Sequence, residues 1–100
     1  MAIFVTHDHQ MLFAFFRSLI VTPHVTLEHI LQGVKIKNPE IQEDFNHLLQ
    51  ELKLAPCNKA IESNLQKMKD YAALHPIKKE DGTINIALYK LHHALNWENL

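Results

Sequence analysis

Between Asn38 and Leu52 the chain specifies a helix more plainly than anywhere else along its length. Asn38, Pro39 and Glu40 supply in order a side chain that caps orphan N–H groups, a proline whose fixed φ suits the first helical turn, and an acid near the positive end of the helix dipole. Ile41, Phe45, Leu48, Leu49 and Leu52 then recur at the i, i+4, i+7, i+8, i+11 spacing of one helical face. A helix of this length is marginal alone and gains its stability by burying that face. The rest of the chain must therefore supply apolar helices to pack against it.

It supplies four. A first helix begins near Thr6 or Asp8, either of which can cap it, and runs to about Val21. Its Met11, Leu12, Phe13, Phe15, Phe16, Leu19 and Ile20 cover an arc of roughly 200°, wider than the stripe of an ordinary surface helix, so this helix is expected at the centre of the fold or against a partner. A short second helix starts at Thr22-Pro23 or at Thr26 and ends near Gly33, with Val25, Leu27, Ile30, Leu31 and Val34 as its apolar residues. Pro56 opens a fourth, in which Ile61, Leu65, Met68 and Ala72 share a face edged by Cys57, and His75-Pro76 closes it. The stretch from Lys78 to Gly82 reads as an exposed turn. Beyond it, Ile84, Leu88, Leu91 and Leu95 predict a fifth helix from about Thr83 to Asn96, with a small hairpin at 83–86 as the competing reading.

The expected fold is thus all-α, a compact bundle of four to five short helices forming a single domain over residues 1–100. Composition agrees: 47% hydrophobic and 21% charged residues with only two glycines and four prolines belong to a packed chain. No window approaches the roughly 18 apolar residues of a membrane-spanning helix. His7, Asp8, His9 and Gln10 divide the apolar letters near the N-terminus, which lacks the basic region of an export signal, so a cytoplasmic location is expected, in its own cell or a host's. Cys57, the single cysteine, fits a reducing compartment. A formal charge of −1 with Arg17 as the one arginine argues against nucleic acid as a partner, and the acidic 38–53 segment would repel phosphates as the second helix of a helix-turn-helix.

Eight histidines are the compositional anomaly. His7 with His9, and His92 with His93, lack the same-face i, i+4 spacing of a helical metal site. Glu43, His47 and Glu51 project opposite the apolar face of their helix, where a ligand would meet water. No cofactor or metal is expected, although a histidine-based metal sensor stands as one alternative. Arg17, followed after six residues by His24, has the Arg-x4–6-His spacing of HEPN-type helical ribonucleases, a spacing that eight histidines make easy to meet by chance. A small helical ribonuclease using this pair is the other alternative. Cys57 near a helix N-terminus has the setting of an activated thiol, but its place at the edge of the buried face argues against access. Neither glycine lies in a phosphate-cradling loop.

The fifth helix carries the most informative pattern. Opposite its core face, Ile86, Tyr89, His93 and Trp97 fall between about 140° and 220° from Ile84, forming a second stripe of apolar and aromatic residues. Aromatic residues of this kind dominate protein–protein contacts. The stripe, with Phe13 and Phe15 where the first helix exceeds the needs of the core, points to a non-enzymatic interaction protein. It would be inhibitor-, adaptor- or effector-like, occluding the surface of a partner protein or of a second copy in a homodimer. The competing reading places the fifth helix between neighbours inside the monomer.

Overall fold

The computed structural model describes residues 7–22, 26–56 and 61–98, leaving aside the side chains of residues 61, 62, 97 and 98. Five helices follow one another: α1 (His7–Val21), α2 (Leu27–Gln32), α3 (Pro39–Leu52), α4 (Ile61–Leu74) and α5 (Ile86–Glu98). The chain is an all-α bundle with a Cα radius of gyration of 13.0 Å, the value expected for about 100 packed residues. An isolated antiparallel β-bridge joins Lys78 and Ile84.

The expected caps are in place. Asn38 Oδ1 accepts from Glu40 N at 2.9 Å with Pro39 opening α3, and Thr26 Oγ1 accepts from His29 N at 3.1 Å, so Thr26 rather than Thr22 starts α2. Helix α3 ends where Lys53 turns into the left-handed region at φ 51°, and α4 stops at Leu74 ahead of His75-Pro76.

The core is a single cluster drawn from α1, α3, α4 and α5. Phe15, Phe16 and Phe45 meet edge to face, with ring centroids 5.2 Å apart within α1 and 5.1 Å from Phe15 to Phe45. This is the geometry that aromatic quadrupoles favour. Leu12, Leu19, Leu48, Met68 and Leu91 surround them, all buried. The anticipated faces of α3 and α4 point inward, with Phe45, Leu48, Leu52, Met68 and Ala72 buried and Ile41, Leu49 and Leu65 half-buried.

Three expectations need correction. Helix α1 shares the centre with α5: α1 packs on α2, α4 and α5 and meets α3 through the Phe15, Phe16 and Phe45 rings, while α5 packs on α1, α3 and α4. Helix α5 begins at Ile86, because Asn85 caps it, accepting from Leu88 N through Oδ1 at 3.0 Å, and because the preceding residues pair instead of coiling. Lys79 N donates to Thr83 O at 2.8 Å and Asn85 N to Ile77 O at 2.9 Å, around a turn at Gly82 whose φ of 90° suits glycine. Ile84 therefore leaves the core face and lies 46% exposed, while Leu88, Leu91 and Leu95 remain on it. Lastly, Asp8 does not cap its own helix. Inside α1, its Oδ1 accepts from Lys37 N at 2.7 Å and its Oδ2 from Asn38 N at 2.9 Å, tying the first turn of α1 to the residue that caps α3.

Candidate functional site at the α1–α5 seam

The turn at 77–85 and the helix that follows decide which side chains meet at the surface. Because Ile84 is held extended by its bridge to Lys78 and Asn85 then starts α5, Ile84 and Ile86 stand beside Tyr89, one turn into the helix. From α1, His9 arrives at the same place. Ile84, Ile86, Tyr89 and His9 line a hollow of about 290 Å³ walled by apolar atoms. Tyr89 also lines a second hollow of about 250 Å³, together with Ile77, His92, His93 and Asn96. Tyr89, 36% exposed, thus contributes to both hollows.

Of the anticipated stripe, the structure brings Ile86, Tyr89 and His93 together. The Tyr89 and His93 rings lie 6.4 Å apart, and Phe13 reaches over from α1 to within 4.7 Å of His93. Phe13 is half-buried in this contact. Phe15 does not join it. At 1% exposure it belongs to the aromatic core and forms the floor of a separate hollow of about 160 Å³ between α1 and α2, so the expectation that it offers surface to a partner is overturned. Trp97 lies in α5, but its side chain is outside the described residues.

Sequence reasoning passed over two residues here. Lys90 is only 6% exposed in the middle of α5, with its ammonium 5.3 Å from the centre of the Tyr89 ring. Burial lowers its pKa, since the charged form loses water. His9, also 6% exposed, is held below the ordinary histidine value by burial and by Lys90, against a smaller opposing pull from Asp8. His93 is lowered by burial and then Lys90, and His92 by burial alone. The signal for His9 was available, because it precedes Phe13 by four residues and so shares its face of α1. Lys90 carried none: a lysine beside a core leucine reads as a solvated edge.

The other sequence candidates lie elsewhere. Glu43, His47 and Glu51 are exposed on α3 as expected, with His47 Nε2 3.2 Å from Glu51 Oε1. Arg17 is exposed on α1, whereas His24 and Cys57 fall outside the described residues. His7 Nε2 donates to Lys35 O, 3.1 Å away, and does not join His9 in a chelate. Among the described residues no three side chains of the His, Cys, Asp and Glu types come together in a metal-binding group, and no helix is long and apolar enough to cross a membrane. No family model, curated protein or solved structure matches this chain.

Proposed function

We propose that this chain is a protein-interaction module of the inhibitor, adaptor or effector type, working by covering a partner's surface with the face around Tyr89. The observation that carries the reading is the exposed pair Ile84 and Tyr89 beside an apolar hollow of about 290 Å³. An exposed tyrosine shared by two hollows is suited to anchor an interface, since the ring can contact partner side chains that the hollows receive. Ile86 and His93 line these hollows along α5, and Phe13 packs against His93. The reading is for binding rather than chemistry because the wall of the larger hollow offers a reaction little polar purchase.

The test compares the wild-type chain with Tyr89→Ala/Ile84→Ser. Light scattering at pH 7.5 reports whether the partner is a second copy, and titration calorimetry measures affinity for any protein that the chain retains from extract. Loss of Tyr89 as an anchor should weaken binding by about 30-fold or more, the effect of a hot-spot side chain. Affinity unchanged within about threefold, with the helical signal intact, would remove the face around Tyr89 from the binding surface.

A further inference from the structure

Docking at Tyr89 leaves unused the basic groups gathered where α1 crosses α5. His9 and Lys90 are each 6% exposed there. The His93 ring packs 4.7 Å from Phe13, and Nε2 of His92 is buried with no hydrogen-bond partner. The charged groups on the surrounding helices are mostly committed elsewhere. On α1, Asp8 gives both oxygens to the N–H groups of Lys37 and Asn38, and His7 contacts Lys35 O. On α3, Asp44 holds Lys79 at 2.9 Å and Glu51 holds His47. On α4, Lys67 donates to Lys53 O at 2.7 Å. Asp8 favours a charged His9, while Lys90 opposes charge on both His9 and His93.

We propose that the α1–α5 seam is an acid-sensitive latch, closed while His9, His92 and His93 are neutral and opened at the N-terminal end of α1 when they are protonated, His9 and His93 beside Lys90 and His92 in its buried position. A protonated His92 would place a second N–H donor in a buried position, where an unpaired donor is costly. A protonated His9 or His93 would set a second cation near Lys90 in a region short of water. The direction of the pH dependence follows. All three histidines titrate below their ordinary value of 6.5 when the seam is closed. Between that lowered value and 6.5 the open chain binds more protons, so closure weakens as pH falls below about 6.5 and is unaffected above it. Each proton taken up changes the equilibrium at most tenfold per pH unit, so three set a ceiling of about a thousandfold per pH unit. The latch does not depend on what docks at Tyr89.

Denaturant unfolding and hydrogen exchange on the full chain at pH 7.5, 6.0 and 5.0 test it, in the wild type, in His9→Gln, His92→Gln and His93→Gln, and in His47→Gln as a control on the solvated face of α3. The expected result is at least a tenfold loss of closure between pH 7.5 and 5.0, with protection lost first in the opening turns of α1. Each seam substitution should flatten that dependence, and His47→Gln should keep it. A wild-type slope that survives in the seam variants, or protection lost first in α3, would overturn the latch. Should a seam variant fail to fold at pH 7.5, nuclear magnetic resonance titration of the wild-type histidines decides the matter: seam rings titrating below 6.5 support the latch, and rings titrating at or above 6.5 overturn it.

Discussion

Helices α3 and α5 are nearly equal in length and both pack into the same core, yet they distribute their side chains in opposite ways. Helix α3 sorts them cleanly. Phe45, Leu48 and Leu52 are buried, Glu43, His47 and Glu51 stand in water, and both ends carry recognisable signals. Helix α5 buries Leu88, Leu91 and Leu95 just as well, but it also encloses Lys90 and half-buries His92 and His93, while Tyr89 and the adjoining Ile84 remain exposed. A helix selected only for stability has no reason to exchange a cation and an aromatic ring in this way, since burying a charge costs free energy and exposing apolar surface forgoes it. Departures from local consistency of this kind concentrate where function is carried. The contrast locates structure in α3 and candidate function in α5.

Substitutions can break or sharpen that contrast. The largest effect is expected from Phe45→Ala, which removes a ring packed against Phe15 and Phe16 and should cost about 3–5 kcal/mol in chemical denaturation, enough to unfold a marginal domain. Asp8→Ala comes next. It strips the acceptors from two backbone N–H groups at the entrance to α3 and should cost about 2–3 kcal/mol by the same measurement. Lys90→Met should act in the opposite direction and stabilise the fold by about 1 kcal/mol, because it keeps the chain's reach and removes a buried cation. If it destabilises by a similar amount, Lys90 belongs to the architecture and the contrast with α3 is lost. Tyr89→Ala should have the smallest effect on the melting curve, under about 1 kcal/mol, since much of the ring already lies in water.

Most of the helical framework could be read from the sequence because it rests on local signals. The Asn38-Pro39-Glu40 start, the Thr26 cap, the stop before Pro76 and the periodic leucines of α3 and α5 each act within a few residues. The errors arose where distant groups decide. Asp8 resembles a cap for its own helix, but its acceptors are engaged by backbone some 30 residues away. Ile84 fits the period of α5, yet the Lys78 bridge and the Asn85 cap outweigh that fit by a few hydrogen bonds. Phe15 reads as surplus in the sequence because the width of the α1 face does not reveal that Phe45 will fill the space beside it. The candidate site was half legible. Ile86, Tyr89, His93 and Phe13 follow from helical projection, and His9 shares the face of Phe13, whereas nothing in the sequence pattern marks Lys90 as buried.

A hydrogen-exchange footprint of the complex this chain forms at pH 7.5, with a second copy or with a different protein, tests the central claim most directly. New protection should fall on residues 84–93 and on the opening turns of α1, leaving the outer face of α3 at Glu43, His47 and Glu51 unchanged. Protection on α3 with none around Tyr89 would contradict the account, and so would a chain that remains alone under every condition tried.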